Sequence, residues 1–260
     1  HLSNYLTEKG GHRIIPLGRA MFREGMSGLL VQTLTHCDVI INLAGAPINQ
    51  RWTPEHKQEL FNSRITVTHR IIRALNAVKT KPKLMISASA VGYYPLVESD
   101  EYTQTRGDGF LSDLCYAWEK EAKRCPQPTR LVITRFGVVL SPDGGAMQQM
   151  LRPLRATKVA AVIGPGTQPF PWIDIRDLCR AMSFFIENEE LRGVFNLVAP
   201  QAVSQSTFTR AMGKAYHAWT TLIVPQAVFR LLYGEAASFL TAGQSVRPTR
   251  LLEAGFHFSV

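Results

Sequence analysis

Val39-Ile40-Ile41-Asn42-Leu43-Ala44 is the stretch on which the reading of this chain turns. It is short, almost wholly apolar and rich in β-branched side chains, the pattern of a strand covered on both faces. Leu84-Met85-Ile86-Ser87 has the same texture, as do Arg130 to Leu140 and Val194-Phe195-Asn196-Leu197-Val198. Between the first two, Leu60, Val67, Ile71, Leu75 and Val78 fall at helical spacing. That predicts a helix from Pro54 to Val78, with Thr53 as N-cap and Pro54 at the first helical position. A second helix is expected from about Phe110, with Leu111, Cys115, Trp118 and Ala122 on one stripe. Buried strands alternating with amphipathic helices predict an α/β architecture with a parallel sheet. In such folds ligands bind at the carboxyl ends of the strands.

Beyond Ser141-Pro142-Asp143-Gly144-Gly145 the texture loosens, and Gly164-Pro165-Gly166 marks a turn. Residues 1–140 are therefore read as a doubly wound part. Residues 141–260 are read mainly as a smaller lobe, some of whose segments return to the first part, with the ligand in the crevice between them.

The chain has 260 residues, 45% of them hydrophobic and 19% charged, ordinary for a globular protein that needs no disulfide or metal staple. No apolar run approaches the roughly 20 residues of a bilayer span, and His1 to Gly11 lacks the apolar core of a signal peptide. A cytoplasmic protein without a membrane partner is expected. Cys37, Cys115, Cys125 and Cys179 stand far apart and read as reduced thiols, three of them core filler. The seven histidines show no HxxxH or other ligand spacing, so no metal is expected. The formal charge of +9 comes from 29 Lys and Arg against 20 Asp and Glu. Its densest run, Lys79-Thr80-Lys81-Pro82-Lys83, reads as a loop before a strand, and no basic patch is interleaved with aromatic residues. A nucleic-acid partner is not expected; a solvated surface and an anionic small ligand both fit.

Several strings in register resemble one branch of the extended short-chain dehydrogenase/reductases. They are Asn42-Leu43-Ala44-Gly45-Ala46-Pro47-Ile48, Arg51-Trp52, Ser63-Arg64, Ser87-Ala88-Ser89-Ala90-Val91-Gly92-Tyr93-Tyr94, Gly137-Val138-Val139-Leu140, Trp172-Ile173-Asp174-Ile175 and Arg250 to Phe256. The branch is the atypical "epimerase family protein" group, related to NAD-dependent epimerase/dehydratases and to proteins labelled cell-division inhibitors. The resemblance implies a Rossmann-like, doubly wound parallel sheet and a nicotinamide dinucleotide. It also implies a first strand and a glycine-rich phosphate loop, whereas His1 falls where such proteins have entered the following helix. The natural protein is therefore expected to contain more than this sequence, with a second omission plausible between Arg19 and Asp38; a truncated, non-binding paralogue is the alternative.

The same resemblance implies the site. Leu43, Ala44 and Gly45 would wall the adenine side of the cofactor, with Arg64, Ser87, Ala88, Phe136, Gly137 and Val138 also against it. Arg19 follows Ile14-Ile15-Pro16-Leu17, where a second strand should end. An arginine there accommodates the 2′-phosphate of NADP, whereas NAD selects an acidic residue. Pro47, Arg51, Trp52 and Trp172 border the substrate, although the two tryptophans fit a core role equally well. Ser89 would hold a substrate oxygen, and Tyr93 leans towards the cleft while Tyr94 reads as a core plug. The superfamily moves its proton with Tyr-x-x-x-Lys, present here as Tyr116-Ala117-Trp118-Glu119-Lys120. That branch usually carries neither residue there, and Tyr116 lies off the apolar stripe. Catalysis and an exposed pair both remain open, with Tyr116 or Tyr93 as the proton carrier. Two functions follow. One is an NADP(H)-dependent oxidoreductase or epimerase-like enzyme acting on a small carbonyl or hydroxyl compound, nucleotide sugars being the habit of the wider superfamily. The other is a non-catalytic dinucleotide-binding regulatory module. A homodimer is left open.

Overall fold

A computed structural model describes residues 1–260, apart from the side chains of Phe239 and Leu240. Its main sheet holds four parallel strands in the order β1 (Val39–Asn42), β2 (Leu84–Ala90), β3 (Arg130–Phe136) and β7 (Gly193–Leu197). Two smaller parallel pairs lie outside it: β4 (Val138–Ser141) with β6 (Trp172–Asp174), and β5 (Val159–Ile163) with β8 (Thr220–Val224). The helices are α1 (Leu2–Glu8), α2 (Ser27–Leu34), α3 (Pro54–Phe61), α4 (Val67–Ala77), α5 (Phe110–Ala122), α6 (Gly145–Thr157), α7 (Ile175–Glu187), α8 (Gln205–Ala215), α9 (Gln226–Tyr233), α10 (Ala237–Thr241) and α11 (Thr249–Glu253).

Both faces of the main sheet are covered, because alternate side chains of a strand point to opposite sides. Leu84 and Ile86 join Val132, Phe195 and the α7 residues Leu178, Met182 and Phe185 in one cluster. Met85, between them, turns the other way and packs with Ile40, Leu30 and Leu34 of α2, and Ile71 and Leu75 of α4. Each such fully buried aliphatic or aromatic side chain contributes about 1.5–3 kcal/mol. The fold is thus α/β, with a Rossmann-like parallel sheet wound on both sides. After residue 141 the chain returns to it through α7, β7 and α11.

Three local expectations change. The stretch from Pro54 to Val78 is not one regular helix. Thr53 does cap it, its hydroxyl accepting from the His56 N–H at 3.2 Å, but Asn62–Thr66 forms a π turn that inserts extra backbone between α3 and α4. Arg130 to Leu140 is two strands rather than one. The break falls at Gly137, where an added Cβ would sit 2.7 Å from the Pro171 carbonyl oxygen and 2.9 Å from Val198. Such close backbone approach leaves no room for a side chain, so the chain passes from one sheet to another there. Finally, Ile14 to Leu17 forms no strand, and Arg19 opens an exposed 3-10 turn, Arg19–Phe22. With no partner strand beside them, these apolar residues stay partly open to solvent.

Candidate functional site

Polar side chains gather at the carboxyl ends of β1, β2 and β3, on the face covered by α4 and α5. Asn42 ends β1; its amide donates to Thr68 Oγ1 at 2.9 Å, and its carbonyl accepts from the Ala44 N–H at 3.2 Å. Thr68 in turn donates to the Arg64 carbonyl at 2.7 Å and accepts from the Trp118 indole at 3.0 Å. The loop after β1 is thereby tied to α4 and α5 by buried hydrogen bonds, which cost free energy if left unmade.

Arg64 lies in the π turn. Its guanidinium donates to the Ala46 carbonyl at 3.0 Å and the Leu60 carbonyl at 3.3 Å, and lies over the Trp118 ring. Burial pushes its pKa down, partly countered by the Cys115 thiol. Among the described residues no carboxylate pairs with it. A Cβ added at Gly45 would sit 3.0 Å from this guanidinium, so glycine lets the loop lie against it. Ser87, one strand over, is fully buried and its hydroxyl has no partner among the described residues. A half-buried cation without an anion, an orphaned hydroxyl and a side-chain-free loop fit a bound anionic ligand.

Ser89, two residues on, points the same way and donates to Glu119 Oε1 at 2.8 Å. Arg135 grips the same carboxylate twice, Nε to Oε1 at 2.7 Å and Nη2 to Oε2 at 2.8 Å. The three residues are 2%, 2% and 4% exposed, respectively, for Ser89, Glu119 and Arg135. Burial alone would lower the arginine's pKa; the bonds and charge of Glu119 outweigh it and raise the pKa further above its ordinary value. The guanidinium also lies 3.5 Å from the Tyr93 ring centroid and 4.6 Å from that of Tyr94. Tyr94 belongs to the core: burial lifts its pKa to about 12, and its hydroxyl donates to Asn196 at 2.9 Å. Tyr93 is half-buried on a 3-10 turn anchored by Ser112, and its hydroxyl has no protein partner among the described residues.

The helix that faces these strands presents an i, i+4 pair, and it is Cys115 with Glu119. Cys115 is buried, and desolvation, reinforced by Glu119, lifts its thiol to about 12. Tyr116 and Lys120 are one residue further round, about 100° away on the helix. Tyr116 is 45% exposed beneath the Arg106 guanidinium, and Lys120 is exposed as well. Neither is gathered with Ser89. Trp52 is buried against Phe110, its indole donating to the Ile48 carbonyl, so it is core. The Trp172 indole N–H is buried without a partner among the described residues. Leu43 and Gly45 are exposed and Ala44 half-buried around the β1 loop, as are Pro47 and Arg51 beyond it, both exposed. Ala88 alternates to the opposite face from Ser87 and Ser89; Phe136, Gly137 and Val138 lie half-buried where the main sheet ends. Glu119 was not among the site residues legible in the sequence. The stripe of Leu111, Cys115, Trp118 and Ala122 held the signal, since 119 lies on the same face as 115 and 122.

Among the described residues, no group of three or more His, Cys, Asp or Glu could hold a metal, and all four cysteines are free; Cys115 and Cys179 are buried, and the half-buried Cys125 packs against the core cluster that holds Leu75 and Met85. Among the described residues no helix is long and apolar enough to cross a membrane.

A parallel sheet wound on both sides, with a polar cluster at its carboxyl ends, defines a class that comparison with known proteins makes specific. The NAD dependent epimerase/dehydratase family matches residues 1–197, and a domain of unknown function, DUF1731, matches residues 224–260. The chain belongs to the NAD dependent epimerase/dehydratase family, as an atypical extended short-chain dehydrogenase/reductase. An epimerase family protein of Staphylococcus haemolyticus is 40% identical over 226 residues, 85% of this chain and 75% of its own length. The crystal structure of the human epimerase family protein SDR39U1 (isoform 2) with NADPH is 32% identical, with a TM-score of 0.86, covering 100% of this chain and 92% of that one. A nucleoside-diphosphate sugar epimerase from Corynebacterium glutamicum is 27% identical with a TM-score of 0.69, covering 88% of this chain and 45% of that one.

Proposed function

We propose that this chain is an NADP(H)-dependent oxidoreductase or epimerase-like enzyme acting on a small carbonyl or hydroxyl compound. The observation that carries this reading is the half-buried Arg64 under Gly45, a cation without a carboxylate partner among the described residues, together with the orphaned Ser87 hydroxyl towards the carboxyl end of β2. Family membership and the NADPH in the human relative support the same cofactor class.

In this reading Leu43, Ala44 and Gly45 wall the cofactor, and Arg64 balances its negative charge. Ser87, Ala88, Phe136, Gly137 and Val138 border it, and exposed Arg19 reads a 2′-phosphate. The nicotinamide, when bound, exchanges a hydride with a carbinol or carbonyl carbon. Tyr93 moves the proton at the substrate oxygen: of Tyr93, Tyr94 and Tyr116, it alone joins a ring lying against the Arg135 guanidinium to a hydroxyl without a partner among the described residues. Pro47, Arg51 and Trp172 border the substrate, and Ser89 touches its oxygen. Fluorescence titration with NADPH and NADH tests the cofactor; tight NADPH and much weaker NADH binding is expected, and no binding of either would refute the reading.

One observation favours a second reading, a dinucleotide-binding regulatory module without turnover. The helix face towards Ser89 offers Cys115 and Glu119 instead of a tyrosine and a lysine. NADPH binding without oxidation across a panel of aldehydes and ketones, nucleotide-linked ketosugars included, would favour it.

A further inference from the structure

The bond between Ser89 and Glu119 has a direction, and the direction has a chemical meaning. Glu119 is an ionised partner of Arg135, held through both carboxylate oxygens, so it can only accept. The 2.8 Å contact to Ser89 therefore uses the one proton the serine has. Turning that proton towards a ligand would strip a buried carboxylate of a charge-assisted hydrogen bond, the stronger kind. Among the described residues the bonds to Glu119 come from Ser89 and Arg135 alone, and the guanidinium already faces both carboxylate oxygens. What Ser89 can still present is a lone pair.

We propose that Ser89, its proton held by Glu119, acts only as a hydrogen-bond acceptor, so that the site selects the alcohol over the carbonyl member of an alcohol–carbonyl pair. An alcohol can donate to that lone pair and still accept from a donor elsewhere in the site. A carbonyl oxygen has no proton to give and meets the serine lone pair without one between. Glu119 and Arg135 are positioning residues in this scheme, acting through Ser89. The inference rests on the oxidoreductase reading for the identity of the ligand, but the direction of the bond does not.

The test has two arms. Neutron diffraction from deuterium-exchanged crystals of the full chain is expected to place the Ser89 deuteron on the line to Glu119; a deuteron directed elsewhere overturns the proposal. Binding in the presence of NADP+ is then measured for cyclohexanol against cyclohexanone and glycerol against dihydroxyacetone. The alcohol should bind about tenfold tighter or more, the worth of one hydrogen bond made against one frustrated. Ser89→Ala, a small truncation that the fold should tolerate, is expected to bring the ratio close to one. Equal or tighter ketone binding in the native protein, or a ratio unmoved by Ser89→Ala, overturns the selection. A deuteron in the expected place with no binding by either member of either pair refutes the oxidoreductase reading, and the selection with it, while the bond direction stands.

Discussion

Replacing Glu119 by glutamine changes one atom and should be among the most damaging substitutions available to this protein. The carboxylate accepts three hydrogen bonds, from Ser89 and twice from Arg135. An amide in the same place must turn its NH2 either at Arg135 Nη2 or at Arg135 Nε, donor against donor, and the guanidinium loses its counter-charge in a site 4% exposed. Breaking a buried pair from one side costs about 3–5 kcal/mol, because the remaining charge stays buried. At about 2.1 cal/mol/K per residue, unfolding 260 residues carries an entropy of about 0.5 kcal/mol/K. Glu119→Gln should therefore lower Tm by about 5–10 °C. Differential scanning calorimetry reads this directly. The double variant Glu119→Leu/Arg135→Met removes both charges and should melt above the single variant, leaving Ser89 as the main unpaired group. A single-variant shift below about 2 °C, or a double variant that falls by the sum of both singles, would refute the account of this cluster as a tightly coupled ion pair.

Other outcomes follow from the same geometry. Tyr93→Phe should lower kcat about a hundredfold or more in any turnover assay, whereas Tyr116→Phe and Lys120→Met should leave it unchanged and alter stability by less than about 0.5 kcal/mol; the reverse pattern would return the proton to Tyr116. Glu101 accepts from the Asn196 and Arg250 N–H groups, yet burial raises its pKa above the ordinary carboxylate value. Because the folded state then holds the proton more tightly than the unfolded chain, Glu101 stabilises most in acid and loses that contribution as pH rises through its folded pKa. Glu101→Gln sets an amide donor against one of these N–H groups at every pH, but it does not titrate, so its stability deficit relative to the native protein should shrink from acid to pH 7; calorimetry at both pH values checks it. The Cys115 thiol, lifted to about 12 and buried, should resist iodoacetamide at neutral pH until denaturant unfolds the chain, as mass spectrometry of alkylated peptides would show.

The strands and the parallel sheet were legible because a strand buried on both faces has a composition of its own, as in Val39 to Asn42 and Leu84 to Ser87. Thr53 and Pro54 were legible as a helix start because capping is local chemistry. What escaped depended on contacts distant in the chain. Nothing within Arg130 to Leu140 says that Gly137 will lie against Pro171, more than thirty residues later. The π turn at Asn62–Thr66 shifts the phase of a helix whose apolar spacing looks nearly regular on either side. The site misreading was of another kind. Tyr116 with Lys120 and Cys115 with Glu119 share the same spacing, and only burial of Leu114, Cys115 and Trp118 decides which pair turns inward. A familiar pattern of residue types drew attention one position away from the face that the apolar stripe had already marked.

Gly137 also joins the polar cluster to the outer strands. Arg135 lies two residues before it on β3, and β4 begins immediately after it, so one continuous backbone carries both the guanidinium over Tyr93 and the first strand of the β4–β6 pair. The Pro171 carbonyl and Val198 approach that point too closely for any side chain. Arg135 in turn reaches Glu119 through two short bonds, and Glu119 accepts the serine's proton, so the seam between the two sheets and the polar cluster lie on one short run of backbone and hydrogen bonds.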